Sequence, residues 1–250
     1  MINLIIPMAG RGSRFNKQGF KQPKPLLELF GKPFFWWAIE SVKRVVPVEA
    51  IICVILKEHV TEFNIDKVVK KYYPEVTLVV IDEVTDGALD TAIIGINSLK
   101  NDLPIIINDC DQAFMMDRME SAIDLISSDP GLQGYLCHFD SNSPSYSYAE
   151  YDSEGNLLRT AEKEVISNKA ISGAYIFRSK KIIENFYNTY KKNCQYTETY
   201  ISGLYNIIAS EGGTIKGINL REHLSFGTPE EYSSAILNKS FLSWLDGETK

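Results

Sequence analysis

Apolar residues in this chain fall into short unbroken runs separated by stretches with a helical rhythm. Residues 2–6 (INLII), 50–56 (AIICVIL), 76–81 (VTLVVI) and 103–108 (LPIIIN) are of strand length. Runs with no polar alternation are the pattern of parallel strands covered on both faces. Between them, Pro33 followed by Phe34, Phe35, Trp37, Ala38, Ile39 and Val42 predicts a helix with a broad apolar face that starts at the proline. Residues 65–72 predict a second helix, ended by Pro74, and residues 87–99 a third, capped by Thr85 or Asp86. Strand and helix thus alternate in the doubly wound manner. From Gly131 the texture changes. Residues 132–139 read as a strand, 146–151 alternate, and Asp152-Ser153-Glu154-Gly155-Asn156 turns the chain into 157–160, which is a hairpin added to the sheet. Helices follow at 179–190 and 198–209, then a short strand at 214–218. Thr228-Pro229-Glu230-Glu231 opens a last helix running towards Leu245.

Composition narrows the class. With 250 residues and 44% hydrophobic content, one large α/β domain is favoured, with residues 1–130 as one half and 131–250 as the other. A net charge of −6 argues against a general nucleic-acid surface. No apolar run approaches the ~20 residues of a membrane span, and the N-terminus lacks the basic region of a signal peptide. A cytoplasmic protein without membrane or nucleic-acid partners is expected. Cys53, Cys110, Cys137 and Cys194 contain no C-x-x-C and read as free thiols. His59, His138 and His223 are scattered, which gives little support to a histidine base or a metal cluster.

Three segments carry candidate chemistry. The first strand delivers the chain into a turn with Gly10 and Gly12, followed by Arg11, Arg14, Lys17, Lys21 and Lys24. Glycines let backbone N–H groups approach an anion without Cβ obstruction, and fixed cations complete a polyphosphate site. The pattern is neither a Walker A loop nor a full dinucleotide fingerprint. The second segment, residues 82–92, would aim helix N–H groups at the carboxyl edge of the sheet, where they could read a base or simply end a helix. In the third, Asn108-Asp109-Cys110-Asp111 places two carboxylates just past a strand, where open α/β sheets bind ligands. Such oxygen ligands suit Mg²⁺, and an Asx turn is the ordinary alternative for Asp109.

Met8-Ala9-Gly10-Arg11-Gly12-Ser13-Arg14-Phe15, then Pro23-Lys24-Pro25, then Gly31-Lys32-Pro33 together resemble the signature of the sugar-phosphate nucleotidyltransferases, the pyrophosphorylases, in its small capsule-type members. The resemblance implies a single Rossmann-like (GT-A-like) mixed sheet flanked by helices with an antiparallel acceptor-side insertion. It implies that Arg14 and Lys24 handle phosphate and that the backbone from Met8 through Ala9, Gly10, Arg11, Gly12 and Ser13 cradles the nucleotide. Gly87, Ala88 and Asn108 would complete the nucleotide site. Asp111, with Asp109 second, would hold Mg²⁺. Glu162-Lys163 resembles the family's Glu-Lys element, whose lysine reaches the acceptor phosphate, and Ile171-Ser172-Gly173-Ala174-Tyr175 its Asn-Ala-Gly-Ile-Tyr strand. Glu198 is a further acceptor-side candidate and a carboxylate that could assist the metal. Ser225 stands where the family often has an aspartate, a departure that leaves a second metal ligand open.

The reaction so implied joins an NTP (CTP, UTP or dTTP favoured) to a sugar 1-phosphate or another small phosphomonoester with release of pyrophosphate, for surface-polysaccharide synthesis, by an enzyme that could be a homodimer. Two other readings stay open. Asp109-Cys110-Asp111 could be the metal motif of a glycosyltransferase that uses a nucleotide-sugar donor, or the protein could be a non-catalytic nucleotide-sugar sensor.

Overall fold

The computed structural model describes residues 1–117 and 119–245. In chain order the elements are β1 (Ile2–Met8), α1 (Ser13–Lys17), β2 (Glu28–Leu29), β3 (Lys32–Pro33), α2 (Phe34–Lys43), β4 (Val48–Leu56), α3 (Lys57–Phe63), α4 (Ile65–Tyr72), β5 (Thr77–Ile81), α5 (Ala88–Ile96), β6 (Ile105–Asn108), β7 (Gln112–Met115) and α6 (Met119–Ser128). The second half adds β8 (Leu132–Asp140), β9 (Ser147–Tyr151), β10 (Leu157–Glu162), β11 (Lys169–Phe177), α7 (Lys180–Asn193), α8 (Ile201–Ser210), β12 (Thr214–Asn219), β13 (Glu222–Ser225) and α9 (Pro229–Ala235).

Among the described residues nine strands form one mixed sheet, in the order β10-β9-β11-β6-β1-β4-β5, with β8 also on β11 and β12 on β8. The strands β6, β1, β4 and β5 are parallel. The addition made by the second half is antiparallel: β11 runs against β6 through Ala174 to Phe177, and β9, β10 and β8 alternate with it. The sheet is therefore continuous across residue 130. Two apolar layers cover it, and β1 shows how they are sorted. Successive side chains of a strand point to opposite faces. Ile2, Leu4, Ile6 and Met8 pack with Phe34, Trp37 and Phe226 of one layer, whereas Ile5 packs with Leu89, Leu204 and Tyr205 of the other. All of these residues are buried. The unbroken apolar runs are thus explained by helices on both sides.

One helix lies unusually close to the sheet. A Cβ added at Gly95 in α5 would stand 2.8 Å from Val54 Cγ2 and 3.2 Å from Ile5 Cγ2. Gly95→Leu is therefore expected to destabilise the fold by roughly 2 kcal/mol or more through overpacking, read as a lowered denaturant midpoint; an unchanged midpoint would mean that α5 can retreat.

Several expectations are corrected. The 76–81 run is an edge strand rather than a fully buried one, with Val80 49% exposed, because nothing pairs beyond it. Pro33 pairs with Glu28 and precedes α2 instead of opening it. Neither Thr85 nor Asp86 caps α5, whose N-cap is Gly87; Thr85 instead donates to the Gly87 carbonyl, and Asp86 pairs with Lys191 at 3.2 Å. The last helix has its capping box at Thr228 and Glu231 but stops at Ala235. The helices α3 and α6 and the strand β7 were not foreseen.

Candidate active site

Parallel strands end together. The carboxyl ends of β1 and β6 open into a cleft of about 470 Å³, which receives β10, β11, β13 and α9 on its far wall. Met8, Ala9 and Gly10 line it directly as the chain leaves β1. Gly12 has φ +61, and a Cβ there would stand 3.0 Å from Lys24 Cβ, so this glycine lets the Lys24 segment close over the turn. Arg14 lines the cleft and has no hydrogen-bond or ion-pair partner among the described residues. Arg11, Gly12 and Ser13 do not line it, and Arg11 meets Glu58 at 3.5 Å on the surface.

At the centre, Lys24 Nζ lies 2.5 Å from Asp111 Oδ2. Burial lowers the Lys24 pKa; the Asp111 carboxylate, and then Asp109, outweigh it and hold the ammonium well above its ordinary range. Asp109 responds the other way. Burial first, and then the Asp111 charge, push its carboxyl up to about 7, against the pull of Lys24. Burial likewise pushes the intervening Cys110 thiol up to about 12, so it is no nucleophile at neutral pH. Two glycines make room for these carboxylates. Gly173, at φ +89 within an irregularity of the β11–β8 pairing, would place a Cβ 2.6 Å from Asp109 Oδ2, and one at Gly227 would stand 2.6 Å from Asp111 Oδ2. Bulges of this kind recur beside active sites, where they re-aim the strand.

On the far wall, Glu162 Oε1 accepts from Ser147 Oγ at 2.5 Å and from Ser202 Oγ. Lys163 takes a positive φ of +56, and its Nζ lies 3.5 Å from the Tyr200 hydroxyl. Ser172, Gly173 and the exposed Glu198 line the same wall, as does Ser225. Gly87 and Ala88 line the cleft beside Glu198 and Tyr200, where Gly87 is pressed so close to the Thr199 backbone that a Cβ would lie 2.4 Å from its nitrogen.

Asn108 is the clear misplacement. It is fully buried and outside the cleft lining, with Nδ2 donating to the Ala38 carbonyl at 2.9 Å and Oδ1 accepting from Gln112, so its amide is directed into the interior. Sequence reasoning also missed cleft residues. Gln112, Tyr146 and Glu231 all line it, and Tyr146 donates to Glu231 Oε1 at 2.7 Å while Glu231 Oε2 accepts from the Thr228 amide. The capping-box signal at Glu231 was visible; its second oxygen facing the cleft was not.

The donor set fits Mg²⁺. The described residues hold no group of three or more His, Cys, Asp or Glu arranged for a metal, but Mg²⁺ needs only one or two carboxylates plus substrate phosphates. Asp109 and Asp111 supply two, and both line the same cleft, with Asp109 buried beside the Asp111 charge that a divalent cation would offset.

A model of the family described as "Nucleotidyl transferase" matches residues 4–237. The chain belongs to that family. Of the activities left open by the sequence, nucleotidyl transfer is therefore the one the protein carries. Solved structures with the same fold include the nucleoside-diphosphate-sugar pyrophosphorylase of Vibrio cholerae RC9, 23% identical over 94% of this chain and 100% of that one, with a TM-score of 0.79. The inositol-1-phosphate CTP transferase of T. maritima is 13% identical over 96% of each chain, with a TM-score of 0.73. No curated protein matches the chain. A nucleotidyltransferase must gather positive charge along a polyphosphate and keep carboxylates for a metal within reach of the same atoms. Lys24, Arg14 and the Asp109–Asp111 loop converge on one cleft in that manner.

Proposed function

We propose that this nucleotidyltransferase joins a nucleoside triphosphate, a pyrimidine one by preference, to a sugar 1-phosphate or another small phosphomonoester. An acceptor phosphate oxygen attacks the α-phosphorus, the bond from that phosphorus to the bridging oxygen breaks, and pyrophosphate leaves. The observation that carries the reading is the pairing of Lys24 with Asp111 at 2.5 Å beside an Arg14 with no partner among the described residues. Arg14 holds the departing pyrophosphate, Lys24 the α-phosphate, and Lys163 the acceptor phosphate beside Glu162, Ser172, Gly173 and Glu198. The backbone from Met8 to Gly10, with Gly87 and Ala88, receives the nucleotide. Asp109 and Asp111 hold Mg²⁺, which supplies charge neutralisation on the phosphates when bound. The acceptor is already ionised, so no general base is required, and a neutral His223, its pKa lowered to about 4 by burial, is in keeping with that. The resemblance of its motifs to those of small capsule-type members supports a role in making activated donors for surface polysaccharide within the cytoplasm.

The test is pyrophosphate release with each of CTP, UTP, dTTP, GTP and ATP against a panel of small phosphomonoesters. Release that needs one NTP and one acceptor together supports the reading; tight binding of an intact nucleotide-sugar with no release would overturn it. In the same assay Arg14→Ala is expected to lower kcat about 100-fold, the scale of one donor to developing charge, with the melting temperature unchanged. Wild-type kcat in that variant would remove Arg14 from the phosphate site.

A further inference from the structure

The loop bearing both carboxylates is closed at its base by a side-chain bond. Asn108, the last residue of β6, and Gln112, the first of β7, flank Asp109-Cys110-Asp111, and Gln112 Nε2 donates to Asn108 Oδ1 at 2.9 Å. Both side chains are buried, at 0% and 2% exposure. The bond is one link of a longer chain. Asn108 Nδ2 donates to the Ala38 carbonyl of α2 at 2.9 Å. At the other end His223 Nε2 lies 2.9 Å from Gln112 Oε1. Because the Gln112 amide nitrogen faces Asn108, its oxygen faces the His223 ring and can accept from Nε2, while the Ser172 carbonyl is a second acceptor beside the same ring. His223 in turn is stacked on Phe139 with ring centroids 4.0 Å apart. A neutral relay thus runs from α2 under the carboxylate loop to β13 and β8.

The relay lies against the carboxylates themselves. The point where a Cβ at Gly173 would stand is 2.6 Å from Asp109 Oδ2 and 2.8 Å from Gln112 Nε2, so the two side chains lie under the same glycine. Asp111 is fixed through its backbone, since its carbonyl accepts at 3.0 Å from the amide of Phe226, one residue past the end of β13, the strand that carries His223. Two carboxylates on three residues repel each other, and each catalytic cycle changes the charge around them by several units as phosphates arrive and leave. Amide dipoles carry no net charge, so their hold on the loop does not change with that cycle.

We propose that Gln112 is a positioning residue for the Asp109–Asp111 pair, oriented by Asn108 and His223, and that it sets the carboxylate spacing a divalent cation requires. The inference rests on the metal role given above to these two carboxylates. Partners that orient metal ligands are typically worth 10–100-fold in metal affinity.

The experiment is direct titration of Mn²⁺ into the protein without substrates, followed by the loss of the free-ion electron paramagnetic resonance signal. Gln112→Met, which keeps the volume and removes both hydrogen bonds, is expected to weaken Mn²⁺ binding about 10-fold. His223→Gln, which retains a donor for Gln112, is expected to bind nearly as the wild type does, and His223→Leu to weaken binding several-fold. The histidine pair reads the same effect should Gln112→Met fail to fold, with melting temperatures as the check on folding. Wild-type Mn²⁺ affinity in a folded Gln112→Met, or equal affinity in the two His223 variants, would overturn the proposal. A raised acceptor KM with unchanged Mn²⁺ affinity would also overturn it, because Gln112 would then touch substrate. Asp111→Asn separates the two levels: if it leaves Mn²⁺ binding intact, or if the wild type binds none even when pyrophosphate is added to supply the phosphate ligands, the metal assignment itself fails and this inference with it.

Discussion

Asp111→Asn is expected to cut turnover at least about 1000-fold, the upper range for losing one group aimed at developing charge in a water-poor site. The substitution keeps the side chain's shape and removes its charge. Two consequences follow from the geometry. The metal site loses one of its two carboxylates, and Lys24 loses the partner 2.5 Å away that offsets its burial. Their side chains are 24% and 19% exposed, so the stability cost is held to about 2 kcal/mol, below the 3–5 kcal/mol of a fully buried pair broken on one side. Single-turnover kinetics with excess Mg²⁺, beside a denaturant melt, separates the two effects. A variant that kept a tenth of wild-type turnover would move the metal away from Asp111.

Between pH 7 and pH 5 the protein is expected to lose about 2 kcal/mol more stability than its His138→Phe variant. His138 is 6% exposed; burial first, and then the Lys169 charge, lower its pKa to about 4. In the unfolded chain the same ring takes a proton near 6.5. Across the window between those values the unfolded state binds more protons, so stability is full above pH 6.5 and falls as the pH drops towards 4. His223, also lowered to about 4, acts in the same direction. Asp109 opposes both, because a carboxyl raised to about 7 in the folded state takes up protons there first. The difference between wild type and variant isolates His138 from these two, and equal pH slopes in paired urea melts would contradict the buried neutral ring.

Much of the scaffold was legible because its strands are covered on both faces and announce themselves as apolar runs. What stayed hidden was polar or distant. The helix α3, Lys57–Phe63, opens Lys-Glu-His and has no apolar run to mark it. The strand β7 is four residues long and pairs only with β13, more than a hundred residues away, so no local pattern exposes it. The same distance hid Gln112 and His223 as partners. The glycine turn with Arg14 and Lys24 was readable, since its glycines and cations adjoin in sequence. Asn108 misled for a physical reason: a polar residue at the end of a buried strand looks ligand-facing, yet its amide turns inward to the Ala38 carbonyl of α2.

The place of β11 beside β6 bears on how the chain leaves the ribosome. Once Asn108 has emerged from the ribosome, β1, β4 and β6 can assemble, but the free flank of β6, with Ile105, Ile106 and Ile107, has no neighbour until residues 174–177 follow. At the usual ~5–20 residues per second, the roughly 70 intervening residues impose a wait of about 3–14 s, during which a bare apolar strand edge is open to the wrong partner. A nascent chain stalled when residues up to about 130 have emerged should therefore be a client of holding chaperones, and one stalled after residue 177 has emerged should not.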